Sequence, residues 1–201
     1  MFLMRIGRCS ASFFVAVFFA FFIICTPLFS QISKFRITEI SGDVSVEKDG
    51  KLEKLSSDTF NCSSSTKILT GSNSLVYFSN DSGIEIKIKD DSCIILSASG
   101  ELTIDSGIVG VRARPDLSLP KDSSFSIVTK HLKSVLKEGI IAVKTGKILS
   151  QLAVLKGWTL VSTVNNEHSL VKQKEEVAAG EYELSQKYLS TDELFYAFYW
   201  K

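Results

Sequence analysis

Apolar and polar side chains alternate with period two in short runs along most of this chain. The clearest run is Ile84-Glu85-Ile86-Lys87-Ile88-Lys89, which puts three isoleucines on one face and three charges on the other. That is the pattern of a strand with one dry and one wet face. Asn80-Asp81-Ser82-Gly83 precedes it and Asp90-Asp91-Ser92 follows it, both rich in turn formers. Comparable runs predict strands at 35–40, 44–47, 75–79, 93–96, 102–104, 109–113, 125–128, 132–136, 140–144, 152–155, 159–163, 169–172 and 182–184. Turn chemistry separates nearly all of them, as in Ser41-Gly42-Asp43, Lys48-Asp49-Gly50, Thr70-Gly71-Ser72-Asn73, Ser99-Gly100 and Asn165-Asn166. No helical period intervenes. Many short strands this closely spaced predict an all-β domain of antiparallel strands, built as a β-sandwich, a roll or a solenoid-like stack. Three prolines in the whole chain are compatible with long strand ladders.

Both ends depart from this pattern. Eight phenylalanines fall in the first thirty positions: Phe2, Phe13, Phe14, Phe18, Phe19, Phe21, Phe22 and Phe29. Arg5 and Arg8 precede an uninterrupted apolar run at 13–25, and Pro27 and Ser30 follow it. A basic start, an apolar middle and a small residue before a cut make the layout of a secretory signal peptide. Counted from Ala11 to Phe29, the run comes close to the roughly 20 residues of a membrane span, so a retained anchor at 11–29 is the alternative. Lipid attachment at Cys25 is disfavoured by the bulky Phe22, Ile23 and Ile24 before it. At the other end, Ser190-Thr191-Asp192-Glu193 reads as a helix start, and Leu194, Phe195, Tyr196, Phe198, Tyr199 and Trp200 follow. The expected organisation is a leader at 1–30, a β domain at 31–189 and a short aromatic C-terminal helix at 190–201. That helix is expected to pack over an open end of the sheet.

Charge and chemistry narrow the function. The formal net charge is +1, and loss of Arg5 and Arg8 with the leader would make it −1. Neither value suits a nucleic-acid binder, which needs a basic stripe. Cys62 and Cys93 survive removal of the leader, an even pair in a compartment that is oxidising if the chain is exported. A disulfide between them would stabilise by about 3–4 kcal/mol through the loop it closes, and two free thiols is the other reading. His131 lies beside Lys130 and Lys133 and reads as a solvated strand residue, and His168 reads as an exposed turn residue. Neither has a metal-ligand spacing, and Cys62 and Cys93 form no C-x-x-C pair. Asp81, Asp90 and Asp91 read as solvated turn acids, not a calcium site, which needs six or more oxygens. Asn61-Cys62-Ser63-Ser64-Ser65-Thr66 has nucleophiles but no accompanying base. Glu85 and Glu101 have no forced proximity that would make them a glycosidase pair. No catalytic residue, metal ligand or cofactor is expected, and the ligand-binding residues cannot be named from the sequence.

The order of strands and turns resembles the FecR-like domain family. Ile40-Ser41-Gly42-Asp43-Val44-Ser45-Val46 is similar to that family's opening G-x-V-x-V strand. Lys67-Ile68-Leu69-Thr70-Gly71-Ser72-Asn73-Ser74-Leu75-Val76 resembles its D-x-I-x-T-G-x-x-S-x-A segment. Weaker similarities follow at 83–96, 101–112, 125–129, 135–143 and 151–157, so the resemblance covers roughly 39–185. Departures occur at Lys130, at Gly139-Ile140 and at Trp158, where the family would have proline, Gly-Thr and an aliphatic residue. The resemblance implies an envelope-side β-module. The family's sigma-regulating members carry a cytoplasmic helical segment, and the dozen residues before the apolar run are too few to fold as one. The expectation is therefore a stand-alone, non-catalytic periplasmic binding module. Its partner would be an envelope protein or a cell-wall polymer, not nucleic acid, with membrane contact only through an uncleaved N-terminus. The alternative is a structural or surface-exposed secreted protein or antigen.

Overall fold

The structure is a computed structural model, and it describes residues 34–48, 50–56, 59–61, 65–97, 100–114, 124–181, 184–185 and 188–189. The leader at 1–30, the expected helix at 190–201 and Cys62 lie outside the described residues. Those residues form sixteen strands, β1–β16 in chain order, and no helix. No helix among them is long and apolar enough to cross a membrane.

The strands form two sheets. Sheet A runs in the order β4 (Thr59–Asn61), β1 (Lys34–Ser41), β6 (Leu75–Asn80), β7 (Ile84–Ile88), β9 (Leu102–Ala113), β12 (Gly139–Thr145), β13 (Ser150–Thr163), β15 (Glu175–Ala179) and β16 (Tyr188–Leu189). Sheet B runs β3 (Lys51–Lys54), β2 (Val44–Lys48), β5 (Thr66–Thr70), β8 (Cys93–Leu96), β9, β10 (Phe125–Thr129), β11 (Leu132–Leu136), β13 and β14 (His168–Lys172). Every pairing is antiparallel except β9 with β10. The all-β expectation holds, and the arrangement is a two-layer roll. A solenoid of parallel coils would not give antiparallel ladders in every pairing but one.

Two strands belong to both sheets, and their sequences show how. In β9, Leu102 and Ile104 are buried before the crossing, and Val109, Val111 and Ala113 after it. In β13, Leu152 and Val154 are buried before it, and Val161 and Thr163 after it. The inward set switches from even to odd positions in each case. A strand that turns from one layer to the facing layer must do this to keep its apolar side chains inside. Gly107 and Gly157 sit at the switches with φ of +98° and +81°. The chain therefore bends where side chains other than glycine are strained. Hydroxyls then fasten the corners. The Ile108 amide donates to Ser92 Oγ (3.1 Å), as the Asp43 amide donates to Ser74 Oγ (2.9 Å).

One apolar core fills the space between the layers. Phe35, Phe78, Ile86, Ile88, Val111, Ile141 and Val143 enter it from sheet A, and Ile68, Ile94, Leu96, Leu102, Ile104 and Ile127 from sheet B. Ile86 and Ile88 are fully buried, as the 84–89 alternation predicts.

Candidate interaction surface

The outward face of sheet B carries the largest apolar exposure on the regular part of the fold. The bend at Gly157 turns Trp158 outward, period two carries Leu160 to the same side, and Val164 lies in the turn that follows β13. Trp158 is 52%, Leu160 45% and Val164 63% exposed. Leu160 pairs directly with Leu170 of β14 (40% exposed) and with Val135 of β11. Trp158 and Leu160 lie roughly 7 Å apart along β13 at about 3.3 Å per residue. Lys133, Lys172 and His168 pair with residues of the same stretch of β13. β14 is the last strand of sheet B in the described order. On the inner face of the same stretch, Thr159 is buried. Its Oγ1 lies 2.7 Å from Ser134 Oγ and donates to the Val135 carbonyl at 2.9 Å. That hydrogen-bonded pair inside fixes which face of β13 looks out. An exposed apolar stripe of this kind marks an interaction surface more often than a solvated one.

Sheet A bears a polar cluster on its outer face. Glu85 accepts from the Tyr77 hydroxyl, from Arg112 (3.2 Å) and from Arg114 (2.8 Å). Partial burial, then the hydrogen bond and charge of Glu85, hold the Tyr77 phenol well above its ordinary pKa. The folded state thus binds this proton more tightly than the unfolded state does. The stabilisation is fully present below the usual tyrosine pKa of about 10 and is lost as pH rises beyond it. Urea midpoints at pH 9 and pH 11 should therefore fall further in the parent chain than in Tyr77→Phe. Equal falls would mean that Tyr77 makes no folded-state proton linkage.

The remaining sequence candidates disperse. Cys93 is a half-buried free thiol, with Sγ 3.7 Å from Asp105 Oδ2. Burial and the Asp105 carboxylate push its pKa up, opposed by Lys67, so little thiolate is present at neutral pH. Its expected partner Cys62 is outside the described residues. His131 corrects the sequence reading, for it is buried in the turn between β10 and β11. Its Nδ1 lies 3.0 Å from Ser150 Oγ, which is 2.6 Å from Thr145 Oγ1, and its amide donates to Thr129 Oγ1 (3.2 Å). The hydroxyls come from the ends of β10, β12 and β13, so no local sequence signal marked them. Ser150 and His131 are both shut off from solvent, and a buried hydroxyl network of this kind braces the corner. His168 is exposed. Asp81 pairs with Arg36 at the surface (3.2 Å), and Asp91 donates its amide to the Gly71 carbonyl. Glu85 lies on sheet A, whereas Glu101 accepts from Ser126 and forms an ion pair with Lys133 (3.7 Å) on sheet B. Among the described residues no three His, Cys, Asp or Glu side chains converge as metal ligands.

No family model matches the chain, and no curated protein resembles it closely enough in sequence to count as a relative. Solved structures do resemble it. A crystal structure at 2.50 Å resolution of a candidate anti-sigma factor from Parabacteroides distasonis ATCC 8503 matches with a TM-score of 0.55 and 13% identity, over 66% of this chain. A second, at 1.65 Å resolution and from the same organism, matches with a TM-score of 0.55 and 11% identity, over 65% of this chain. The chain spans 63% of the length of each. At these identities the similarity is one of fold.

Proposed function

We propose that this chain is a FecR-like, non-catalytic interaction module of the bacterial cell envelope, exported by its N-terminal segment, and that it holds a protein partner on the outer face of sheet B. The observation that carries the reading is the exposed stripe Trp158, Leu160, Val164 and Leu170. Aliphatic side chains set beside a tryptophan on a rigid sheet suit a protein partner, because such a surface gains from burial without losing much conformational freedom. A wall polymer would be better served by several stacked aromatic rings than by leucines. The fold likeness to candidate anti-sigma factors supports an interaction role over a catalytic one. The strand order and the Gly42 and Gly71 turns support the FecR-like reading.

The test places a photo-crosslinking amino acid at Leu160 in cells. One discrete protein adduct is expected, lost when Leu170→Asp is added and kept when Leu52→Asp is added. Leu52 is a still more exposed leucine on β3, at the opposite edge of sheet B. An adduct pattern indifferent to Leu170→Asp refutes the surface, and attachment only to wall material refutes the protein partner. N-terminal sequencing of the envelope fraction should read from near residue 31. Recovery with Met1 in the cytosol refutes the compartment.

A further inference from the structure

β3 ends sheet B on one side, and among the described residues it pairs only with β2. All four of its residues are exposed. Lys51 stands opposite Lys48, Leu52 opposite Glu47, Glu53 opposite Val46 and Lys54 opposite Ser45. The Leu55 amide then donates to the Val44 carbonyl at 2.9 Å. Antiparallel ladders alternate hydrogen-bonded and open pairs, so this bond fixes the phase. Lys51, Glu53 and Leu55 turn their backbone groups to β2, and Leu52 and Lys54 turn theirs to the outer edge. Side chains alternate as well. Lys51 and Glu53 share the face of buried Val46, and Leu52 and Lys54 share the opposite face. Lys54 is neutralised by Asp43 (3.0 Å). Among the described residues neither Lys51 nor Glu53 has an ion-pair partner. Leu52 is 64% exposed beside Glu47, whose carboxylate is held by Lys67 (3.4 Å). Edge strands are usually protected by lysines, prolines or bulges. This one instead reads Lys-Leu-Glu, a cation and an anion either side of an oily residue.

We propose that this edge pairs with the same edge of a second copy of the chain, antiparallel and centred on Leu52. The backbone phase admits few two-fold registers, because Leu52 and Lys54 must meet residues whose groups also face outward. Centring on Glu53 sets two carboxylates against each other, and centring on Lys51 or Lys54 does the same to two ammonium groups. Centring on Leu52 sets Lys51 opposite Glu53 of the second copy, twice by symmetry. The two Leu52 residues then exchange their N–H···O=C bonds at a Cα separation of about 5.5 Å, and their side chains meet on one face. Lys51 and Glu53 fall in open pairs at about 4.5 Å, where cross-strand side chains approach most closely and opposite charges attract. A two-fold contact must be self-complementary, and Lys-Leu-Glu is so in this register alone. Sheet B runs without a break from one copy into the other. The edge is short, so the dimer is a weak one. Trp158 and Leu160 lie toward the opposite edge of the sheet, so the pairing stands apart from the partner reading and leaves that surface open.

The test uses the chain as purified from cells. Sedimentation at about 100 μM should show dimer in exchange with monomer. Lys51→Glu and Glu53→Lys should each weaken association on the order of ten-fold, since attraction becomes repulsion at two symmetric pairs. The double variant Lys51→Glu/Glu53→Lys should restore it. Both positions are exposed, so the fold persists, and circular dichroism checks that it does. A covalent probe reads the register separately. Leu52→Cys should oxidise to an intermolecular disulfide, mapped by mass, because the expected Cα separation is one a disulfide spans. Lys54→Cys is the control. In this register the two 54 positions lie four residues apart along the ladder, about 13 Å, and should not link. A chain that stays monomeric would overturn the proposal, and so would equal linking at 52 and 54. A dimer that ignores both single charge changes would overturn it as well, and its loss in Leu160→Asp would assign association to the opposite edge instead.

Discussion

Gly107→Ala should cost about 3–5 kcal/mol, enough to bring a domain of ordinary stability close to unfolding. Two separate penalties add. The backbone there has φ of +98°, a conformation that side-chain-bearing residues adopt only under strain, at roughly 1–3 kcal/mol. A Cβ would also lie 2.1 Å from Ser92 Oγ and 2.5 Å from Ser92 Cα. The hydroxyl can rotate away, but the Cα is backbone and holds the next corner in place. Relief would need β8 and β9 to separate, and overpacking of this kind costs about 1–3 kcal/mol. Gly50→Ala is the matched control. Its φ of +74° is just as left-handed, yet nothing lies within 4 Å of the new carbon. It should cost only about 1 kcal/mol. Urea midpoints followed by circular dichroism separate the two, and Ser92→Gly should rescue Gly107→Ala in part, because it removes the side-chain clash but not the Cα. Equal midpoints for the two alanine variants would show that the crossing is not built on this close approach.

The same crossing explains what the sequence made legible and what it hid. Alternation located most strands because a buried face demands it. It split β9 into 102–104 and 109–113, since Asp105, Ser106, Gly107 and Ile108 interrupt the period. The interruption is the passage between sheets, and a one-residue phase change looks locally like a turn. The 152–155 and 159–163 runs of β13 were divided for the same reason at Gly157. β3 was missed because all four of its residues are exposed, which leaves no inward set to read. β15 was missed because Glu175 and Glu176 open it, two charges where an inward apolar set would be read. The expected strand at 182–184 shows within the described residues only as a bridge from Leu184 to Ala179.

The candidate surface was less legible than the fold. Along 158–163 both faces of β13 offer apolar residues, and hydropathy alone would place Trp158 and Leu160 inside. Thr159 goes inside instead, because Ser134 on the neighbouring strand gives its hydroxyl a partner. That partner is 25 residues away. The departure at Trp158 from the FecR-like pattern was the one sequence feature that touched the site. It became interpretable only once the bend at Gly157 fixed its direction.

Phe78→Ala tests the layer assignment with the other large effect, an expected loss of about 3–5 kcal/mol. Phe78 is fully buried on β6, between Ile37 of β1 and Ile86 of β7. Its ring reaches the middle of the space between the sheets, where the surrounding isoleucines and valines are held by ladders on both sides. The β-branched side chains have few alternative rotamers with which to refill the cavity. The full transfer and cavity penalties should therefore appear, with no change in the denaturant slope if unfolding stays two-state. The adjacent residue gives the internal comparison. Tyr77 is the same size but faces outward, and Tyr77→Phe removes only a hydroxyl from Glu85, which keeps Arg112 and Arg114. That change should cost about 1 kcal/mol at neutral pH. Period two thus predicts a several-fold ratio between neighbours in one strand. Comparable losses at positions 77 and 78 would mean that β6 has no single dry face, and the two-layer assignment of sheet A would fall with it.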